Sequence, residues 1–317
     1  MKPVLFLFLV LLLNDLQAQV TPRLLHTASE KGLVPEGIAV DGRTGRIFLS
    51  SIAKRKILVL DSNGRLSDFI REGAEGYGEG LGMKVDAKRG WLWALSNTRN
   101  GNTVRSSLHA FDLATGARRQ SYGITDTVPH LWNDLDLDEN GHLYITDTYY
   151  SAIYSVNPEK ETLNLWLKDS LLDWPNGIVK GPGLLYVATY KHGVSYIDPA
   201  TRKITPLPGY RDTAMAFALD GLVYHNGSLY GVYNYTEQPR QSLVQYRLNP
   251  AGTAITGETL LDRGAPYFHE PTTAALYGDR LYVLTNSHLA LYNANKESTA
   301  GKVDQFLPVV VAEYRLK

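Results

Sequence analysis

Cysteine is absent from all 317 residues. That excludes disulfides, thiol catalysis, cysteine-ligated zinc and a lipidated N-terminal cysteine. An excess of one charge sign is also missing: 32 basic residues face 32 acidic ones. The chain therefore has no bulk electrostatic footprint for nucleic acid or an anionic membrane surface. Long hydrophobic runs are missing after residue 13, and helix signals are nearly absent beyond it. The one run, Pro3 to Leu13, follows Met1-Lys2 and precedes Leu16-Gln17-Ala18. It is too short to span a bilayer comfortably. The pattern predicts a signal peptide over residues 1–18 and a secreted or periplasmic mature protein with no membrane span. Without disulfides, stability has to come from the core, and a chain of this length buries enough surface to supply it.

What is present is a repeat. Six second-strand pairs (Ile47-Phe48, Leu92-Trp93, Leu143-Tyr144, Leu185-Tyr186, Leu229-Tyr230 and Leu281-Tyr282) each follow a short apolar strand and a tight turn. The residues that open the units are Glu36, Leu81, Asn133, Asn176, Asp220 and Thr272, at intervals of 45, 52, 43, 44 and 52 residues. Third strands such as Lys56–Asp61 and Leu108–Asp112 run into Asp-, Asn- or Gly-rich turns, as hairpins do. Units of this length with four strands each predict an all-β fold: a six-bladed β-propeller of four-stranded antiparallel blades around a central channel. Residues 19–317 read as one domain, closed by a blade that uses strands from the chain ends, Arg23–Thr27 and Val309–Tyr314.

Residues at one phase of a propeller repeat point at one axial spot. The openers read Glu, Leu, Asn, Asn, Asp, Thr. Glu36, Asn133, Asn176 and Asp220 supply hard oxygen donors, which suit calcium. Zinc is disfavoured by the lack of His and Cys at this phase, and magnesium by its stricter octahedron. Asn133, Asn176 or Asp220 alone would be an ordinary turn former. It is the shared register of four that points to a metal.

The segments PEGIAVD, NDLDLDENGHLYITD, PNGIVKGPGLLYVATY and LDGLVYHNGSLYGVYN resemble the senescence marker protein/gluconolactonase family of six-bladed propellers. The resemblance implies a catalytic calcium at the channel mouth, held by Glu36, Asn133, Asn176 and Asp220, and hydrolysis of lactones or phosphotriesters. The chain departs from the family after Glu36, where Gly37-Ile38-Ala39 replaces Gly-Pro and an aromatic residue. Its second blade, LGMKVDAKRGWLWALSN, also lacks the polar substrate-contacting residues of those enzymes.

A calcium ion at the mouth would polarise a carbonyl, with Asp220 as ligand and as base or nucleophile. His130 and His269 each lie three residues before an opener and are candidate proton carriers. Glu270 is placed like His269. Trp132, Trp174, Tyr190, Tyr233, Tyr267 and Phe268 are candidates to wall a pocket. The expected function is an exported calcium-dependent hydrolase acting on a small-molecule lactone or ester. The alternative is a non-catalytic ligand-binding propeller with a structural calcium.

Overall fold

The computed structural model describes residues 21–26, 30–210, 218–235, 241–294 and 305–316. The predicted signal peptide and Thr27 lie outside the described residues. The strands are β1 (Arg23–His26), β2 (Pro35–Asp41), β3 (Arg46–Ser51), β4 (Lys56–Leu60), β5 (Leu66–Ile70), β6 (Glu79–Asp86), β7 (Trp91–Asn100), β8 (Thr103–Asp112), β9 (Arg118–Asp126), β10 (Trp132–Leu137), β11 (Leu143–Asp147) and β12 (Ala152–Asn157). They continue as β13 (Thr162–Lys168), β14 (Pro175–Lys180), β15 (Leu185–Thr189), β16 (Gly193–Asp198), β17 (Lys203–Pro206), β18 (Leu219–His225), β19 (Ser228–Tyr233), β20 (Ser242–Leu248), β21 (Ile255–Arg263), β22 (Ala274–Tyr277), β23 (Arg280–Leu284) and β24 (Val310–Arg315). One short α-helix, α1 (Leu289–Ala294), and a 3-10 turn at Ala74–Gly76 are the helical elements among the described residues.

These strands form six four-stranded antiparallel sheets. Five are simple meanders: β2 to β5, β6 to β9, β10 to β13, β14 to β17 and β18 to β21. The sixth is ordered β22-β23-β24-β1. Both chain ends therefore build the closing blade. The C-terminal end supplies its three inner strands and β1 its outermost, with Arg23 opposite Glu313 and His26 opposite Val310. Closure pairs the innermost strands into a ring and leaves only the outermost strand of each blade as an edge.

The turns explain why the strands end where they do. Asp41, Asp61, Asp86, Asp112, Asp138 and Asp198 each accept a backbone N–H two or three residues on, at 2.9–3.1 Å. These Asx turns reverse the chain between strands of one blade. The core lies between blades. Trp93, Leu108, Trp132, Ile145 and Ala152 form one buried cluster, and Tyr186, Val194, Leu222, Leu229 and Tyr246 form another.

Candidate metal centre at the channel mouth

Each of the first five innermost strands carries an irregularity at the same place. Pro35 pairs with Ser51 and Ile38 with Leu49, so Glu36 and Gly37 together oppose a single residue. The same two-against-one bulge holds Leu81-Gly82, Asn133-Asp134, Asn176-Gly177 and Asp220-Gly221. A bulge bends a strand and re-aims a side chain. Here it brings the first residue of each pair to the rim of the channel.

The second residue is glycine in four of the five bulges, and the reason is steric. A Cβ on Gly37 would lie 2.1 Å from the Leu81 carbonyl oxygen, and one on Gly177 would lie 2.5 Å from that of Asp220. Each bulge thus abuts the next blade's bulge. Hydrogen bonds tie the ring further. Ser50 Oγ donates to the Leu81 carbonyl at 2.8 Å, Thr146 Oγ1 to that of Asn176 at 2.7 Å, and Thr272 Oγ1 to that of Glu36 at 2.9 Å.

Two residues before the opener, four blades hold a non-glycine residue in the left-handed region: Val34, Trp174, Ala218 and Glu270, with φ of 48°, 55°, 59° and 61°. Such backbone costs about 1–3 kcal/mol and persists only where the surroundings enforce it. The enforcing contact recurs. The carbonyls of Val34, Leu131, Trp174 and Ala218 accept N–H bonds from Ile52, Thr148, Tyr190 and Asn234, the residues directly after the second strands, and that of Glu270 from Ser287, three residues after β23.

Glu36, Asn133, Asn176 and Asp220 come together at the base of a mouth cavity of about 310 Å³. All four are buried. Above them stand Ile52, Thr148, Tyr190 and Asn234, a second ring at one phase of the repeat. This ring orients the first. Asn133 Nδ2 donates to Thr148 Oγ1 at 2.9 Å, which turns its carbonyl oxygen away from that contact. Asn234 Nδ2 donates to Asp220 Oδ2, and the Tyr190 hydroxyl donates to Asn234 Oδ1 at 2.8 Å. Thr148 and Asn234 carry no motif of their own. Their signal in the sequence is position: each lies five residues after the first residue of a Leu-Tyr pair.

The electrostatics are unbalanced. Burial, then repulsion from Asp134 and Glu270, pushes the Glu36 carboxyl up to about 8. Asp220 is held well above the carboxylate range by burial and by Glu36 and Asp134, against a hydrogen bond from Asn176. Asp134, the non-glycine second residue of its bulge, is pushed to about 7 by burial, partly offset by the Leu135 and Ile178 N–H groups and by Lys84. Asp134 was missed in the sequence because its neighbour Asn133 holds the in-phase position. Glu36 Oε2 is buried with no hydrogen-bond partner, and no Lys, Arg or His lines the mouth cavity among the described residues.

A cation is what this donor set lacks. Among the described residues no three His, Asp or Glu side chains form a metal cage by themselves. The set instead pairs two carboxylates with two amides, oxygen throughout, and an orphaned carboxylate oxygen is where a calcium ion fits. Beyond Asp134 the channel continues into a cavity of about 250 Å³. There the charge is already matched, with Lys84 Nζ 2.7 Å from Asp136.

The two histidines do not join the mouth. His130 is buried, with Nδ1 2.5 Å from Asp147 Oδ2, and its ring lies against Tyr150. Asp147 also accepts the N–H groups of Leu131 and Tyr150, so the pair braces a loop. His269 is exposed and stacks on His288 at 5.5 Å. Glu270 receives the Ala290 N–H at the start of α1, the helix that contributes Leu289 and Asn293 to the cavity. Of the aromatic candidates, Trp174 and Tyr190 line the cavity. Trp132, Tyr233 and Phe268 are fully buried, and the Tyr267 hydroxyl donates to Asp262.

No protein family and no curated protein matches the sequence. Solved structures match over nearly the whole chain. A gluconolactonase from Xanthomonas campestris, important in glucose secondary metabolism, is 14% identical over 94% of this chain and 91% of its own, with a TM-score of 0.64. A calcium-binding regucalcin from Agrobacterium tumefaciens is 16% identical over 91% and 93%, at 0.57. An aldose sugar dehydrogenase from Streptomyces coelicolor, in its PQQ-bound form, is 15% identical over 94% and 98%, at 0.60. The shared fold is that of gluconolactonase-like propellers, and it carries more than one chemistry.

Proposed function

We propose that this chain is an exported calcium-dependent hydrolase of lactones or related esters. The observation that carries the reading is the unpartnered Glu36 carboxylate oxygen in an all-oxygen ring at the base of an open cavity. The likeness to a gluconolactonase and a calcium-binding regucalcin supports it. Export rests on the Pro3–Leu13 run and the Ala18 cleavage position.

Glu36, Asn133, Asn176 and Asp220 would hold the ion. When bound, it supplies Lewis-acid polarisation of the substrate carbonyl and stabilises negative charge on its oxygen. Asn234, itself fixed by Tyr190, holds Asp220 in one orientation through Oδ2. Asp220 is the base: it accepts a proton as water attacks the carbonyl carbon, and the ring oxygen leaves protonated to give the hydroxy acid. His130 and His269 are given no role in this reading, because neither lines the cavity among the described residues.

The test is a lactone and ester panel with the leader-free protein, run in calcium, in chelator, and in chelator followed by calcium. Turnover that chelator abolishes and calcium restores is expected. A protein that binds calcium stoichiometrically and turns over nothing would instead be a binding propeller with a structural ion.

A further inference from the structure

The walls of the mouth cavity differ from its floor. Above the polar ring stand Ile52, Leu81, Leu131 and Leu289. At the rim, Tyr149 and Trp174 are 46% and 48% exposed, and their rings meet edge to face at 5.8 Å. Large exposed aromatic rings beside a cavity mark a contact surface more often than chance placement does. Trp174 is no loose end. Its backbone is the left-handed residue two positions before Asn176, and its carbonyl is pinned by the Tyr190 N–H at 3.3 Å. The turn that aims a metal ligand therefore also fixes this ring at the rim.

The polar groups of the wall are largely committed. The Thr148 hydroxyl donates to the Pro175 carbonyl at 2.7 Å and accepts from Asn133. The Tyr190 hydroxyl is spent on Asn234, and the Asn234 amide on Asp220. Glu79 and Asn293 remain. A polyhydroxylated substrate entering here would give up water without gaining equivalent partners. An anionic one would meet Glu79, with no cationic side chain in the lining among the described residues, and a floor whose two carboxylates balance the charge of the ion.

We propose that the site takes neutral lactones or esters with an apolar chain or ring, and that Tyr149 and Trp174 determine this preference. The reaction rests on the hydrolase reading; the ligand class rests on the walls. It follows that the fold this chain shares with a gluconolactonase does not bring that enzyme's substrate with it.

The experiment measures kcat/KM in calcium for γ-lactones of increasing alkyl chain length and for glucono-δ-lactone. In parallel, calorimetry measures binding of a phenyl-substituted γ-lactam and of gluconolactam, which the enzyme is not expected to open. The expected result is a gain of roughly fourfold per added methylene over the first few, with glucono-δ-lactone poorest. Trp174→Ala should cut the long-chain value roughly tenfold and flatten the chain-length dependence, while Trp174→Phe keeps most of it. Preference for glucono-δ-lactone, or no binding of the apolar lactam, overturns the inference. An unchanged chain-length dependence in Trp174→Ala overturns the assignment to the rim pair. Trp174-dependent lactam binding without turnover of any lactone removes the hydrolase reading and leaves the ligand class standing.

Discussion

At the scale of single residues, the mouth is a place where like charges are forced together. The ordinary value for Glu36 is 4.5, and in the fold it is raised to about 8. A raised carboxyl binds its proton more tightly when folded, so its stabilising contribution is complete below about pH 4.5 and is lost as pH rises through 8. Calcium-free protein should therefore lose stability between pH 5 and 8, by a few kcal/mol, and saturating calcium should remove that slope. Glu36→Gln should reduce the slope without calcium, leaving the part that Asp134 and Asp220 contribute, and abolish the calcium response; thermal melts across pH with and without chelator decide both. Asp220→Asn should keep the fold, by circular dichroism, and lose at least roughly a hundredfold in lactone hydrolysis. His109 works in the opposite pH direction. Burial, then Arg118 and Arg105, lowers it from 6.5 to about 4, and it lies stacked on Phe111. Its contribution is intact above 6.5 and lost as pH falls through 4, about 3 kcal/mol in all. His109→Phe should remove that acid limb in urea titrations at pH 4 to 7.

At the scale of elements, the bulge is the unit that brings a polar side chain to the mouth. Residues at the start of an innermost strand were expected to share a phase, and they do: Glu36, Asn133, Asn176 and Asp220 all line one cavity. The bulge itself was not legible, although its mark was in view as the glycine after Glu36, Leu81, Asn176 and Asp220. Asn176-Gly177 and Asp220-Gly221 read equally well as turns, and only the approach of the neighbouring blade separates the two. Gly37→Ala should thus cost about 3 kcal/mol or more in chemical denaturation, because its Cβ meets a backbone carbonyl that cannot move aside. Ala218→Gly should act with the opposite sign. It relieves a left-handed backbone at a cost in unfolded-state entropy, for a net gain of up to about 1 kcal/mol. The placement of the histidines differs from the expectation for a related reason. Spacing put His130 and His269 near the mouth, but Asp147 turns one inward and His288 holds the other outside.

At the scale of the whole molecule, the ring is closed by its two ends. β1 adds four residues to the edge of β24, and Leu24 and Leu25 pack into two different inter-blade clusters. Removing residues 1–26 should lower stability by roughly 3 kcal/mol and expose β24 to pairing between copies. Light scattering during a thermal ramp would register the second effect. Retained stability and solubility would mean that closure depends on contacts other than β1.

The sequence by itself determined the blade count, the phase of the openers and the oxygen-only chemistry of the ring. Those follow from local periodicity, from turn residues and from which atoms the side chains carry. Tertiary structure alone decided that Asn234 bonds to Asp220 and Thr148 to Asn133, that Asp134 lies beneath them, and that His130 lies elsewhere. It also decided that Ile52, Leu81, Leu131 and Leu289 stand above the ring among the described residues. Each of these depends on which blade lies beside which, and on side-chain directions set by contacts between residues far apart in the chain.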